Sequence, residues 1–156
     1  AITFRYDATL DKFIGDAVMA LVGAPLSQTP SHQASIALAM ASDWHHAIES
    51  LGLEYLGKPL KLRIGIHQGE VAVGAFGGEH RLDYTVLGSA VNIAARLEKL
   101  APAGSTAVSQ VVKSQSGLPS HAFSSLGMQS LKGVASPVEV WVHRSSSDAS
   151  VSTKTG

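Results

Sequence analysis

A lysine and an aspartate interrupt an otherwise apolar stretch near the start of the sequence, LDKFIGDAVMALV at positions 10–22. Lys12 and Asp16 lie four positions apart, with Gly15 directly before the acid. A carboxylate at a tight turn can present its oxygens to a hard cation such as Mg²⁺, although a turn aspartate more often bonds its own backbone. Lys12 is either an edge-strand lysine that reaches solvent or a donor aimed at a ligand. If the strand is continuous, alternation puts both positions on one side, so the pair could share a site.

A second pair of polar residues, Asn92 and Arg96, has the same spacing and falls in a helix predicted from Ser89 to about Leu100. Residues four apart occupy one face of a helix. An amide beside a guanidinium can hold a hydroxyl group and a phosphate. The alternative is a solvated helix face on which Arg96 pairs with a surface acid, and the pair taken alone favours that alternative.

Several other chemistries are excluded because their motifs are absent. The chain has no cysteine, which excludes disulfides, thiol nucleophiles and thiolate zinc sites. The glycine-rich segment VGAFGGEHRLDY lacks the GxxxxGK[ST] phosphate-binding pattern, and neither GxSxG nor HExxH occurs. We expect His67 to have a structural role at a turn, and His45 and His46 to lie on the surface of a long helix.

The composition is that of a globular domain without a charge bias. The 156 residues are 45% hydrophobic and 15% charged, which is typical of a chain with a real core. Lys plus Arg and Asp plus Glu number 12 each, so no net basic charge points to nucleic acid or an anionic membrane. No apolar run is long enough to span a bilayer. The lack of cysteine suits a cytoplasmic location, and the start at Ala1 suggests a piece of a longer protein.

The hydrophobic pattern predicts the elements that must carry these residues. Two short strands flank the turn at Asp16, and a hairpin is predicted through Gly69 because alternating residues precede and follow it. Thr29 and Pro30 predict the start of a long helix. The apolar stripe of that helix is expected to be Ile36, Met40, Trp44, Ile48 and Leu51.

Hairpins mixed with helices predict an α+β domain rather than a doubly wound parallel sheet. The domain is expected to cover residues 1–144. Residues 145–156 are rich in serine and threonine and are expected to form a disordered tail.

Four ordered segments resemble the catalytic domain of the class III adenylate and guanylate cyclases: LDKFIGDAVMALVGAP, LRIGIHQGEVAVGAFG, RLDYTVLGSAVNIAARLE and LKGVASPVEVW. Together they cover nearly the whole chain before the serine-rich end. The resemblance implies a ferredoxin-like βαββαβ domain, in agreement with the α+β class. It also implies a homodimer with composite active sites at the interface between the two subunits.

The resemblance implies a role for each matching residue. Asp16 resembles the second of two metal-binding aspartates, and Lys12 and Thr85 resemble the bacterial-type pair that reads the base. Asn92 resembles the residue that orients the ribose, and Arg96 resembles the arginine that stabilises the transition state. The residues expected on phosphates are Lys132 and, less firmly placed by its spacing, Arg81.

The implied activity is conversion of ATP to 3′,5′-cyclic AMP and pyrophosphate, with two Mg²⁺ or Mn²⁺ ions per site. Lys12 favours adenine, because N1 of that base accepts a hydrogen bond, whereas guanylate cyclases usually have glutamate at this position. Many cyclases have aspartate where Thr85 stands, but a hydroxyl can also accept from the adenine amino group.

One part of the family pattern is missing from the sequence. The first metal aspartate of the family lies in an N-terminal strand with a motif like FxDIxGF, and these residues contain no such motif. A single carboxylate holds two cations poorly, so we expect little or no activity from this chain alone. The missing strand, a regulatory region and, in some arrangements, a membrane anchor are expected upstream in the parent protein. The alternatives are a guanylate cyclase and a catalytically inactive nucleotide-binding or dimerisation module.

Overall fold

The computed structural model describes most of the chain between its two ends. The described residues are 2–14, 16–23, 28–70, 72–76, 83–87 and 89–144. For residue 4 and residues 11–14, 72–76 and 83–87, the description is confined to the backbone. The predicted tail over 145–156 lies outside the described residues.

Helices and short strands are interspersed along the described chain. The helices are α1 (Ile2–Arg5), α2 (Pro30–Ser50), α3 (Ser89–Leu100) and α4 (Gln110–Gln115), with a 3₁₀-helix at Ser120–Ala122. The strands are β1 (Thr9–Ile14), β2 (Ala17–Leu21), β3 (Glu54–Tyr55), β4 (Lys58–Pro59), β5 (Ile64–Ile66), β6 (Ala72–Phe76), β7 (Asp83–Leu87), β8 (Thr106–Ser109), β9 (Phe123–Gln129) and β10 (Val138–His143). This mixture confirms the α+β class. None of the described helices combines the length and apolar character needed to cross a bilayer.

The largest sheet contains four strands in the order β5-β8-β10-β9. Strands β5 and β8 run parallel, and β10 is antiparallel to both of its neighbours. The other strands form antiparallel pairs, β1 with β2, β3 with β4 and β6 with β7. In the described residues β5 pairs with β8 and β6 pairs with β7, so the predicted pairing of β5 with β6 is not found there. In the described part of the chain, β5 has a paired strand on one side only.

Strand β8 is buried on both faces, and its alternating residues belong to two hydrophobic clusters. Ala107 packs with Ile93 and Leu97 of α3. Val108 packs with Ala34 and Leu38 of α2. Because successive strand residues point to opposite faces, α2 and α3 cover opposite faces of the sheet at this strand.

Helix α2 begins as the sequence predicts, but its buried face differs from the expected one. The Thr29 hydroxyl accepts a hydrogen bond from the His32 backbone N–H at 3.3 Å, which caps the helix. Of the expected stripe, Met40 is buried, whereas Leu51 is largely exposed. The core face also contains three alanines, Leu38 and His45; the alanines are Ala34, Ala37 and Ala41. Small side chains let the helix lie close to the sheet.

The expectation that His45 lies on the surface is wrong. Its ring is buried, and Nε2 is 3.0 Å from the hydroxyl of Thr106 on β8. Thr106 pairs across the ladder with His143 of β10. Burial lowers the pKa of His143, and the nearby His45 lowers it further. His46, in contrast, is exposed as predicted.

Side chains at the C-terminal end of α1 hold this helix against α2. The Tyr6 hydroxyl donates to the Asp43 carboxylate at 2.5 Å, and the Arg5 guanidinium lies 3.7 Å from the same carboxylate. The hydrogen bond to Asp43 is the main reason that the pKa of Tyr6 is raised. These contacts set where the chain enters β1.

Candidate active site

Helix α3 presents Asn92 and Arg96 beside its buried face. Its sequence, SAVNIAARLEKL, buries Ala90, Ile93 and Leu97, the repeat expected of an amphipathic helix. Asn92 is exposed and Arg96 is half-buried. The two side chains are therefore one turn apart on an accessible edge of the helix, as the sequence predicts.

The distance between α3 and the sheet is set by a glycine in β5. A Cβ atom on Gly65 would lie 2.3 Å from the carbonyl oxygen of Ala94 and 2.4 Å from the backbone nitrogen of Glu98. Both are helix backbone atoms that cannot rotate away. Only glycine permits this approach, so Gly65 determines how deeply the helix that carries Asn92 and Arg96 is seated.

Lys132 lies in a turn that is anchored to the same core as α3. Leu131, directly before it, is buried in the cluster that contains Ile93 and Leu97. The Val134 backbone N–H donates to the Leu131 carbonyl at 3.0 Å, and Gly133 has a φ of 82°, as the third position of a type II turn requires. The Lys132 side chain is exposed. The turn thus fixes a lysine backbone relative to the arginine-bearing helix.

Asp16 lies at the connection between β1 and β2. Ile14 pairs with Ala17, so Asp16 lies in the turn between the strands, and it is exposed. This arrangement agrees with the predicted strand–turn–strand unit. The register shifts between Leu10 and Lys12, which is the irregularity of a β-bulge, and bulges redirect the side chains that follow them. From Lys12 to Ile14 the ladder with β2 is regular, and it ends before Asp16, which lies in the turn.

The two strands that carry the predicted base-reading residues are in contact. Lys12 belongs to β1 and Thr85 to β7, and these strands touch each other. Thr85 pairs with Gly74 of β6. Only the backbone is described at Lys12 and Thr85, and Arg81 lies outside the described residues. The fold thus brings together the two strands that carry these positions.

The described residues supply one candidate metal carboxylate, which does not complete a two-ion site. Asp16 offers exposed oxygens of the kind that Mg²⁺ and Mn²⁺ prefer. No group of three or more His, Cys, Asp or Glu side chains capable of holding a metal occurs in the part of the chain that the structure describes. A pair of ions at Asp16 would need a further carboxylate.

His67 contacts the end of a neighbouring strand. Its Nδ1 lies 2.7 Å from the hydroxyl of Ser109, which joins the end of β5 to the end of β8. Burial lowers the pKa of His67, so the neutral ring is favoured. This contact agrees with the structural role expected for His67.

Two positioning features escaped the sequence analysis. Gly65 could have been noticed because an isolated glycine between Ile64 and Ile66 in a strand suggests a close backbone approach. Leu131 has no comparable sequence pattern, because its neighbours in the core come from α3 and from distant strands.

Comparison with known proteins agrees with this arrangement. Residues 5–144 match the family described as the adenylate and guanylate cyclase catalytic domain. An adenylate cyclase from Anabaena cylindrica is 40% identical over 92 residues, which are 58% of this chain and 18% of that protein. The chain therefore spans less than a fifth of that curated relative.

Solved cyclase structures share the fold. The adenylyl cyclase CyaB from P. aeruginosa superposes with a TM-score of 0.73 at 32% identity, over 93% of this chain and 76% of that one. The guanylyl cyclase Cya2 gives a TM-score of 0.76, also at 32% identity, over 91% of this chain and 72% of that one. These similarities confirm the predicted cyclase fold. The chain belongs to the family of adenylate and guanylate cyclase catalytic domains.

Proposed function

We propose that this domain is the catalytic part of an adenylate cyclase, which converts ATP to 3′,5′-cyclic AMP and pyrophosphate. The observation that carries the choice of adenine is the placement of Lys12 and Thr85 on contacting strands. The Lys12 ammonium would donate to N1 of adenine, and the Thr85 hydroxyl would accept from the exocyclic amino group. Guanine carries a proton on N1, so a lysine there would face a donor instead of an acceptor.

In the proposed reaction, the ribose 3′-hydroxyl attacks the α-phosphorus and pyrophosphate leaves. Asn92 would hold the ribose so that the hydroxyl is in line with the bond that breaks. Arg96, one turn away, would stabilise the charge that develops on the transferring phosphoryl group. Lys132 would bind the terminal phosphates, and Arg81 is a further candidate for that role.

The proposal requires a second metal carboxylate beside Asp16. Two Mg²⁺ or Mn²⁺ ions, when bound, would neutralise phosphate charge and lower the pKa of the attacking hydroxyl. We propose that a segment outside residues 1–156 supplies the other carboxylate. In the described residues, β5 has a paired strand on one side only and β1–β2 is not joined to the larger sheet. Both observations support this idea, because another strand could pair there.

We propose further that the working form is a homodimer with composite sites, in which the metal carboxylates of one subunit face the base-reading residues, Asn92 and Arg96 of the other. The catalytic unit would be residues 1–144, with 145–156 as a tail. The chain covers 18% of the Anabaena enzyme, which supports fusion to a regulatory region in the parent protein. Since its substrate is ATP, the domain would work in the cytoplasm.

A guanylate cyclase is the second candidate, and the likeness to Cya2 favours it. Nucleotide competition separates the two. A fluorescent ATP analogue with Mn²⁺ should bind the chain, with ATP competing better than GTP and Lys12→Glu reversing that order. Equal competition by ATP and GTP would refute the adenine assignment.

Activity requires a longer piece of the parent protein. With Mn²⁺ and ATP it should form cyclic AMP, and Asp16→Ala should abolish turnover while Asp83→Ala serves as a carboxylate control outside the proposed metal site. Turnover that survives Asp16→Ala would remove this residue from the metal site. A folded longer protein that binds ATP but makes no cyclic product would instead identify an inactive nucleotide-binding module.

A further inference from the structure

A small β-hairpin between α2 and β5 carries large apolar side chains into solvent. Tyr55 of β3 pairs with Lys58 of β4, and the Leu60 backbone N–H donates to the Leu53 carbonyl at 2.8 Å. We call residues 51–63 the apolar hairpin. None of the functional roles proposed above involves it.

The end of this hairpin is its most exposed part. Leu56 is 84% exposed, Tyr55 is 70% exposed, and Leu51 at the base is 64% exposed. Leu53 and Leu60 are also exposed large hydrophobic residues. Scattered exposed leucines are common, but here five such residues occur within one short segment, and Tyr55, Leu56 and Leu60 line one groove. A concentration of this kind marks an interaction surface.

The backbone conformation at the tip of the hairpin is one that leucine adopts only with strain. Leu56 and Gly57 have φ values of 52° and 76°, the pattern of a two-residue type I′ turn. Glycine, asparagine and aspartate occupy such positions with least strain, whereas leucine is uncommon there. An exposed leucine in a strained conformation gains nothing from packing within the chain. Its presence therefore points to a contact outside the chain.

Positive charge accompanies the apolar side chains. Lys58, Lys61 and Arg63 line a shallow groove together with Tyr55 and Leu56. In the described residues, no carboxylate pairs with any of these three cations, since the ion pair found there is between Arg5 and Asp43. Glu54 is the acid of the hairpin, and strand alternation places it on the face opposite Tyr55 and Lys58. The chain as a whole has zero net charge, so this basic patch is local.

We propose that the apolar hairpin inserts its tip into the surface of a membrane that contains anionic lipids. Leu56 and Tyr55 would enter the boundary between headgroups and acyl chains, where tyrosine is favoured, and the three cations would remain at the phosphate level. A projecting tip fits a bilayer better than it fits a peptide, because strands of two residues are too short to pair with an added strand. This inference does not depend on which nucleotide the domain uses.

Sedimentation of the chain with lipid vesicles tests the proposal. The chain should bind vesicles of phosphatidylcholine and phosphatidylserine, and bind pure phosphatidylcholine much more weakly. Lys58→Gln and Lys61→Gln should each reduce binding roughly fivefold. Arg144→Gln, which alters an exposed cation away from the hairpin, should leave binding unchanged.

Leu56→Asn is the most informative variant, because asparagine suits the positive φ better than leucine. It should keep or raise the unfolding midpoint and still lose most vesicle binding, whereas Leu118→Asn, at another exposed leucine, should bind as the unmodified chain does. Unchanged binding by Leu56→Asn would overturn the proposal, as would equal binding to neutral and anionic vesicles. Self-association that disappears in Leu56→Asn without any vesicle binding would assign the patch to a second copy. Binding of an acidic apolar peptide that vesicles do not displace would assign it to a protein partner.

Discussion

Replacing Gly65 with alanine should push α3 away from β5. The added Cβ would meet the Ala94 carbonyl oxygen at 2.3 Å, the Glu98 nitrogen at 2.4 Å and the Glu98 Cα at 2.9 Å, whereas an ordinary Cβ contact begins at 3.4 Å. Because all three atoms are backbone, no rotamer change relieves the overlap. The helix must move by about 1 Å, which is the difference between the shortest of these distances and an ordinary contact.

The displacement has two measurable consequences. Overpacking of a close-packed contact costs about 1–3 kcal/mol in the free energy of unfolding. A shift of about 1 Å in catalytic groups can reduce turnover on the order of 100-fold. Because Asn92 and Arg96 would move with α3, we expect kcat to fall by a larger factor than the affinity for nucleotide. Urea unfolding of the chain measures the first effect. Turnover and KM of a longer active protein measure the second.

Gly69→Ala provides a matched control near the same helix. There the nearest atom to an added Cβ is the Cβ of Ala90 at 3.3 Å, a side-chain contact that can be relieved by a few tenths of an ångström. We expect less than half of the stability loss seen for Gly65→Ala. If Gly65→Ala has the same free energy of unfolding and the same kcat as the unmodified protein, the position of α3 does not depend on this glycine.

Three further predictions concern the core, the base and the pH. Leu131→Ala should lower the free energy of unfolding, measured in urea, by about 2–5 kcal/mol. It should also raise KM for ATP more than Lys99→Ala does, because the turn at Lys132 loses its buried anchor. An unchanged KM would show that Lys132 does not bind the phosphates. Lys12→Glu, alone and with a change at Thr85, should shift kcat/KM towards GTP, and retained ATP preference would exclude Lys12 as the base reader. The pKa values of His67 and His143 are lowered by burial, so the unfolded chain binds more protons below about pH 6.5, and the free energy of unfolding should fall as pH decreases through that value. His143→Gln should reduce this pH dependence in urea titrations, and an unchanged slope would show that His143 does not contribute.

The sequence predicted the long helices well because several independent patterns agree there. At α2, the capping threonine and the proline at the first helical position mark the same start, which the structure confirms. At α3, the predicted bounds of Ser89 and about Leu100 agree with the observed helix. The cyclase fold was also predicted, since four ordered motifs resemble one family and the family match covers residues 5–144.

Strand pairing was harder to predict because it depends on residues far apart in the chain. Local alternation on either side of Gly69 indicated a hairpin, yet Ile64 and Ile66 pair with Thr106 and Val108 in a parallel ladder. Strand β9, with the sequence FSSLGMQ, has two buried or half-buried hydrophobic positions and lies at the edge of its sheet. It lacks the regular alternation that indicates a half-buried strand. Its strand conformation is stabilised by pairing with β10, which its own sequence does not indicate.

The buried face of α2 was mispredicted because the largest apolar side chains were expected to face the core. Large residues such as Trp44 and Ile36 are only half-buried, whereas Ala34, Ala41 and His45 face the sheet. Small residues are favoured where a helix lies close to a strand that is buried on both sides. A buried histidine is accommodated there because Thr106 supplies a hydrogen-bond partner for its ring.

The candidate site divides into two parts that the fold holds in different ways. Asn92, Arg96 and Lys132 all depend on one hydrophobic cluster, through Ile93, Leu97 and Leu131, so their relative positions are set within the chain. Lys12 and Asp16 belong instead to a two-stranded hairpin outside the four-stranded sheet. A rigid group built around one core can preorganise charge for a transition state. The β1–β2 hairpin contacts β7 but shares no strand pairing with the four-stranded sheet in the described residues, so the positions of Lys12 and Asp16 depend less directly on that core.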